Sequence, residues 1–341
     1  MSLVLLTGCV ADESPENPPG ATTPAAQVSA SDWRWVGIRN IEVLAPRTWG
    51  FDYEAVRPDC IDPRNPARDP WAKDVPEAPY VTVGTPERGV PAIGCLRERE
   101  PGDPGPAFGD LPFSLWMPFV KLEQARPDLE DPGRADGDWE YEGWRLTRET
   151  IDAVQVTVLA PPDRPSLGTD VLGSVRQVET TSLGCASTSP VQAVKFARPS
   201  GAAVPPAAKV AAVAICHYSR MSSGRGLEGS RRVTGHEARD LVEAILDAPA
   251  SAGPDEPENC VKDMFGDTAL TLRFFEGPEE TKTPIAEAYV YYDWCFGNGI
   301  FDSQGARQLT RANCSPLFAK PPVSFWSGQM VVAGVCGPLA H

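Results

Sequence analysis

Residues 209–218 read KVAAVAICHY, and residues 234–246 read TGHEARDLVEAIL. The first stretch is a nearly continuous apolar run, which predicts a central strand. In the second, apolar side chains recur three and four positions apart, and Thr234-x-x-Glu237 matches a capping box, so we expect a helix from Thr234 to about Asp247. Isolated helices among strands favour α+β layers over a parallel βαβ array.

The segments around this strand and helix extend the same pattern. Alternating apolar residues in 151–159 predict a half-buried strand, and residues 163–178 carry one apolar helical face. Two β-rich runs, 268–275 and 285–294, are expected to pair across the loop that joins them. The Ser/Gly/Arg-rich residues 219–233 are expected to form a loop. Shorter strands are expected at 38–45, 80–83, 112–119, 191–196 and 329–335.

Composition indicates a folded chain with many loops. The 341 residues include 36 prolines and 30 glycines, while the hydrophobic share of 42% is ordinary for a globular protein. We expect two α+β domains, residues 33–185 and residues 186–341, each an antiparallel sheet with helices. The net charge of −15 argues against a nucleic-acid partner.

The amino terminus carries the strongest signal in the chain. Leu6-Thr7-Gly8-Cys9 resembles the lipobox of bacterial lipoproteins. The resemblance implies cleavage before Cys9, with acyl chains such as palmitate on that cysteine as a lasting membrane anchor. Residues 1–8 are short for a signal peptide and lack Lys and Arg, so we interpret them as a truncated one.

The residues after Cys9 are expected to form a tether. Residues 10–31 contain no aromatic or long aliphatic side chain, so they cannot bury enough apolar area to fold. Together with Cys9, residues 9–32 therefore make a lipidated, disordered linker. No later apolar run is long enough to span a bilayer, so the folded body is expected at the outer face of the cytoplasmic membrane.

The other cysteines fit an oxidising compartment. An even number of them in an exported chain is typical of disulfides, and sequence alone does not fix the pairing. We favour sequential pairing, which closes four short loops. No two cysteines lie closer than 19 positions, which disfavours zinc. The eight disulfide candidates are Cys60 with Cys95, Cys185 with Cys216, Cys260 with Cys295, and Cys314 with Cys336.

Two further patterns resemble known groups of proteins. A strand leading into Pro46–Gly50, with Leu172–Arg176 later, resembles the extracytoplasmic lipoproteins of the PsbP/Mog1-like fold. Ala214–Tyr218 and Ser230–Gly235, followed by a helix ending at Asp247–Pro249, are similar to a pattern in actinobacterial exported proteins without an assigned function. Neither resemblance implies a catalytic motif.

A search for catalytic and cofactor motifs identifies none. The chain lacks the G-x-S-x-G of nucleophile elbows; His217 and His236 are interpreted as structural, and His341 as a frayed terminal residue. Residues 224–229 have G-x-G-x-x-G spacing but do not open a helix, as a nucleotide site requires. The acidic residues 128–142 fail the EF-hand spacing and are interpreted as a solvated loop. We expect no metal and no cofactor.

Aromatic side chains are the best candidates for ligand contacts. Of nine tryptophans, Trp35, Trp49 and Trp294 are expected in the core. Exposed Trp side chains can stack on sugars or anchor interfaces. The three expected to be exposed lie near the acidic, proline-rich residues 97–142: Trp116, Trp139 and Trp144.

These features favour a membrane-anchored extracytoplasmic lipoprotein that acts as a binding module and is not an enzyme. Its expected partners are the membrane, through Cys9, and an envelope protein or glycan. One alternative is a cell-envelope hydrolase acting on wall glycan or peptide. Another is a structural stabiliser of an envelope complex.

Overall fold

The structure is a computed structural model containing two six-stranded sheets, one three-stranded sheet and four α-helices within its described residues. The mixed, mainly antiparallel arrangement confirms the α+β class. The described residues are 32–52, 61–62, 64–68, 72, 75–84, 105–109, 111–125, 134–193, 195–220, 225–259, 266–323 and 330–337.

A β-hairpin opens the described chain. Strands β1 (Trp33–Ile38) and β2 (Ile41–Pro46) pair antiparallel around a turn at Arg39 and Asn40. The sequence predicts one strand over 38–45, but the chain reverses because Arg39 adopts a left-handed conformation with φ of 54°.

A second, mixed sheet follows. Its strands are β3 (Gly50–Phe51), β4 (Tyr80–Val83), β5 (Phe119–Gln124), β6 (Gly137–Tyr141), β7 (Trp144–Ile151) and β8 (Val154–Ala160). They lie in the order β3-β4-β5-β8-β7-β6, with β3, β4 and β5 parallel and the rest antiparallel. The parallel part departs from the expected antiparallel sheet. The β6–β7 hairpin lies at one end of this sheet, with β6 as the edge strand.

The hairpin and helix α1 (Leu167–Leu172) cover one face of the mixed sheet. Helix α1 is shorter than the predicted 163–178, because Ser174 ends it: its hydroxyl donates to the carbonyl of Val171 and accepts from the amide of Leu44. Strand β9 (Arg176–Gln177) then pairs with β2. The shared core includes Val36, Ile41, Val43, Val81, Val120, Val156, Leu167 and Val171.

The third sheet is antiparallel throughout. It contains β10 (Ala212–Ser219), β11 (Gly226–Thr234), β12 (Thr268–Phe275), β13 (Ala286–Tyr291), β14 (Gly299–Phe301) and β15 (Ala306–Arg307), in the order β11-β10-β12-β13-β14-β15. Strand β10 is buried along its whole length, as the sequence predicts. The predicted pairing of the two later β-rich runs is confirmed by β12 and β13.

Helices cover one face of this third sheet. Helix α2 (Gly235–Leu246) buries Leu241, Val242 and Ile245 against it. Helices α3 (Arg311–Phe318) and α4 (Met330–Cys336) pack beside α2 and are joined by the disulfide Cys314–Cys336. Residues 185–193 cross the opposite face and are attached to β10 by the disulfide Cys185–Cys216.

The hairpin contacts the third sheet directly. The amide of Arg39 donates to the carbonyl of Leu227 in β11 at 2.7 Å. Nearby, the buried Glu42 accepts hydrogen bonds from Arg176 Nη2 at 2.8 Å and from the amide of Ser182 at 2.7 Å. These bonds connect the hairpin to the segment that leads into the third sheet.

Four predicted elements are wrong. Residues 191–196 form no strand, because Ser189 caps a 3-10 turn at Pro190–Gln192. Residues 112–119 begin with a 3-10 turn at Phe113–Leu115, and β5 starts only at Phe119. The predicted loop 219–233 includes β11, whose Arg231 and Arg232 donate to main-chain carbonyls. The predicted last strand is helix α4.

The capping box at Thr234 is also wrong, although α2 begins there. The Thr234 side chain makes no capping hydrogen bond, and Gly235 enters the helix with φ of 61°. Glu237 instead forms an ion pair with Arg231 at 3.4 Å. A capping box was missed in α3, where Thr310 and Asn313 cap each other reciprocally.

His217 in β10 is a buried, neutral base. Thr268 Oγ1 donates to the hydroxyl of Tyr292 at 2.8 Å, and the same hydroxyl is hydrogen-bonded to His217 Nε2, 3.1 Å away. Burial lowers the pKa of His217 to about 4. The position confirms the prediction that this histidine lies in a buried strand.

We expect acid to destabilise the fold through His217. The unfolded state takes up the proton near pH 6.5, while the folded state resists it until about pH 4. The contribution of neutral His217 to the free energy of unfolding is therefore complete above pH 6.5. It is lost as the pH falls to about 4, a change of about 3 kcal/mol. Urea unfolding of the wild type and of His217→Gln between pH 7.5 and 4 measures it. Parallel profiles for the two proteins would contradict the assignment.

Candidate functional site

Six aromatic side chains gather on one face of the β6–β7 hairpin. We call them the aromatic cluster: Phe108, Phe113, Trp116, Trp139, Tyr141 and Trp144. The face is the one opposite helix α1, and partly exposed members lie around a buried centre.

The hairpin itself places three of the six. Tyr141 and Trp144 pair across a two-residue turn, in which Glu142 and Gly143 have φ of 50° and 79°. Two left-handed residues define the tight turn that suits twisted antiparallel strands. Since side chains alternate along a strand, Trp139 shares the face of Tyr141 and Trp144.

Trp116 is the centre of the aromatic cluster. Its ring stacks on Phe108 with centroids 4.9 Å apart, and meets Trp144 edge-on at 5.9 Å. Phe113 and Tyr141 also contact it. The indole Nε1 donates to the carbonyl of Leu111 at 2.9 Å, which satisfies its one polar group. The ring therefore fixes residues 105–109 and 111–116 on the sheet.

Arg148 attaches the same loop from the other end. From β7 its Nη2 donates to the carbonyl of Ala107 at 3.1 Å, and its Nε donates to Thr157 Oγ1 at 3.1 Å. The guanidinium also lies 5.7 Å from the ring centroid of Trp139. One cation thus connects the loop, strand β8 and a ring of the aromatic cluster.

A groove runs along the outer edge of β6. We call it the edge groove; it encloses about 410 Å³ and is lined by Gly105, Ala107, Phe108, Asp138, Trp139, Glu140 and Tyr141. The loop at Gly105–Phe108 forms one wall, and strand β6 forms the other. Concave sites with aromatic walls and a few polar groups are common ligand sites.

The charge along the edge groove is mainly negative. Asp138 and Glu140 are exposed on β6, and Glu142 is exposed in the turn. Arg145 forms a two-pronged ion pair with Asp138, with Nε 2.8 Å from Oδ1, and these hydrogen bonds hold the pKa of Asp138 below its usual value. The stretch Asp138–Glu142 therefore carries three carboxylates, of which Asp138 is paired with Arg145.

The predicted binding aromatics have different outcomes. Trp116 is only 6% exposed, so its predicted exposure is wrong: it sits under Phe108 and Phe113. Trp139 and Trp144 are partly exposed at the site. The sequence analysis missed Phe108, Phe113, Tyr141 and Arg148. The stretch WEYEGWRL, residues 139–146, held a usable signal, because aromatic alternation flanks a Glu-Gly turn.

The core tryptophans and the acidic stretch can also be placed. Trp294 is buried, while Trp35 and Trp49 are partly exposed. Trp35 lies under the guanidinium of Arg176, 3.6 Å from its ring centroid. The end of the predicted acidic loop, residues 137–142, belongs to the β6–β7 hairpin.

The structure describes five of the eight predicted disulfide cysteines. The pairs Cys185–Cys216 and Cys314–Cys336 are confirmed. Cys295 is also disulfide-bonded. The lipidation candidate and the remaining three lie outside the described residues: Cys9, Cys60, Cys95 and Cys260.

The described residues offer no competing metal or membrane-spanning feature. Within them, no three His, Cys, Asp or Glu side chains are grouped as a metal site requires. No described helix has the length and apolar composition to cross a membrane. His236 is exposed at the start of α2, and Gly226–Gly229 lie inside β11 and not at a helix start.

Comparison with known proteins gives no family assignment. No protein-family model matches the chain, and no curated protein or solved structure shows significant similarity to it. The resemblances described above therefore stay predictions. The candidate site rests on its own geometry.

We expect Arg148→Ala to loosen the edge groove and to lower the free energy of unfolding by about 2 kcal/mol, since it removes charge-assisted hydrogen bonds to the loop and to Thr157. The matched control is Arg145→Ala, which removes an exposed ion pair of the same hairpin and should cost clearly less than Arg148→Ala, because exposed ion pairs are screened by solvent. Urea unfolding and tryptophan fluorescence measure both. Equal losses in the two variants would contradict the attaching role of Arg148.

Proposed function

We propose that the chain is a lipid-anchored extracytoplasmic binding module that holds its ligand in the edge groove. The carrying observation is the pairing of a walled groove with partly exposed aromatic rings on a hydrogen-bonded scaffold. Aromatic side chains lose little conformational entropy on binding and bury a large area, and they dominate many interfaces.

Rigidity supports binding at this place. Trp116 and Arg148 hold residues 105–109 and 111–116 against the hairpin in one arrangement before any ligand arrives. A site that is already ordered avoids much of the entropic cost of association. The aromatic cluster therefore supports ligand binding. Among the described contacts, none favours the hydrolase or the stabiliser alternative.

The anchor and the compartment follow from the lipobox resemblance at Leu6–Cys9. The disulfides Cys185–Cys216 and Cys314–Cys336 support an oxidising environment, since disulfides persist mainly outside the cytosol. The membrane partner is then the bilayer itself, through the lipid on Cys9. The ligand partner is a component of the cell envelope.

We expect Cys9→Ala to move the protein from the membrane fraction to the soluble fraction of a bacterial host, because acyl chains on this cysteine provide the attachment. The measurement is membrane fractionation followed by immunoblotting. A Cys314→Ala/Cys336→Ala variant, which also removes cysteines, should stay with the membrane. Equal partition of the wild type and Cys9→Ala would refute the anchor.

We expect Phe113→Ala to weaken binding of the full chain to purified cell envelopes about five- to tenfold, because it removes an aromatic contact beside the groove. Phe196→Ala is a matched control, since Phe113 and Phe196 are 42% and 43% exposed and Phe196 lies in a different aromatic group. Sedimentation of envelopes with increasing protein measures both. A larger loss for Phe196→Ala would place the ligand elsewhere.

A further inference from the structure

We propose that the edge groove takes an extended peptide, which adds as a strand to the outer edge of β6 and carries Lys or Arg at alternate positions. This inference rests on the proposed function and names its ligand class. It depends on three features: the hydrogen-bonding phase of β6, the wall of the groove and the charge beside it.

The turn fixes which main-chain groups of β6 face outward. Tyr141 and Trp144 flank a two-residue turn and therefore form a hydrogen-bonded pair. Hydrogen-bonded and non-hydrogen-bonded pairs alternate along antiparallel strands, so Trp139 is bonded to β7, while Asp138 and Glu140 are not. The N–H and C=O groups of these two residues point away from the sheet.

Those groups face the edge groove. Among the described strands, β6 pairs with β7 alone, and the groove is lined by all four residues Asp138–Tyr141. The outward groups of positions 138 and 140 repeat at about 7 Å, the two-residue repeat of a β-strand. A peptide backbone matches this spacing and offers donors and acceptors in the same phase, which is how peptides extend sheets.

The loop at Gly105–Phe108 lies beside the outer edge of β6 and leaves a narrow space between them. Arg148 and Trp116 hold this loop beside β6, as shown above, so an entering strand has the loop on one side and the sheet edge on the other. Its side chains on the face of Trp139 and Tyr141 would meet aromatic rings. Apolar residues therefore suit alternate positions of the ligand.

Charge selects the other positions. Asp138 and Glu140 share the opposite face with Thr147, beside α1. Arg145 pairs with Asp138 and lies across from Glu140, so two carboxylates face one guanidinium there. A ligand residue directly opposite a carboxylate is favoured when it is cationic. A second copy of this chain paired edge to edge would bring four carboxylates together, which disfavours self-association at this edge.

The test is calorimetric titration of the full chain with a nine-residue peptide of alternating Lys and Val. We expect it to bind at least about tenfold more tightly than the Glu/Val peptide, because the charge opposite Asp138 and Glu140 is reversed. A Lys/Val peptide N-methylated at alternate residues keeps its charge but loses main-chain donors. It should bind about tenfold more weakly.

Variants at one position separate main-chain bonding from charge. Glu140→Pro removes an outward N–H that β7 does not use, so the hairpin should persist, while the affinity should fall about tenfold. Glu140→Gln keeps the N–H and should weaken binding only about threefold. If a lowered urea midpoint shows that Glu140→Pro is unfolded, the N-methylated peptide alone tests whether main-chain hydrogen bonds hold the ligand.

Other outcomes overturn the inference in distinguishable ways. An N-acetylglucosamine oligomer that binds in a Phe113-dependent manner while both peptides fail would refute strand addition but leave the proposed function standing. Dimerisation that Glu140→Pro abolishes would assign the edge to a second copy. Failure of the peptides, the oligomer and purified envelopes alike would refute both proposals.

Discussion

Burial of strand β10 on both faces is the constraint on which the third sheet depends. Val213 and Ile215 pack under the helices, and Ala214 and Cys216 pack under the segment 185–193. Because neither face of β10 contacts solvent, its apolar side chains are buried only when both covering layers are in place. The helices on one face and the segment on the other must therefore form together. The disulfide Cys185–Cys216 joins one of these covers to the strand covalently.

In a chain rich in proline and glycine, hydrogen bonds from arginine side chains hold the irregular segments against the strands. Arg148 joins a loop to two strands, Arg176 joins the hairpin to the segment after α1, and Arg232 donates to the carbonyls of Pro278 and Glu280. A planar guanidinium has five N–H donors in a fixed fork, against three on a lysine ammonium, so it can bind several carbonyls at once in a set geometry. The edge groove owes its fixed walls to this property.

The parts of the fold predicted from sequence are those that local patterning decides. Strands β10, β12 and β13 and helix α2 have clear periodicity, and their burial agrees with it. Strand β11 was missed because its glycines and arginines are typical of loops. Main-chain carbonyls distant in sequence, those of Pro316 and Leu183, accept hydrogen bonds from Arg231 and Arg232. Helix α4 was missed because a short apolar run does not distinguish helix from strand.

The candidate site was only partly predictable for the same reason. Trp139 and Trp144 could be found from composition, whereas the burial of Trp116 depends on a loop that folds back over it.

The disulfide Cys314–Cys336 has a consequence for a protein exposed to proteases. A peptide bond cut between these cysteines leaves α3 and α4 covalently joined through the disulfide. The cut molecule therefore stays in one covalent piece, with both helices on the sheet, until a reductant breaks the disulfide.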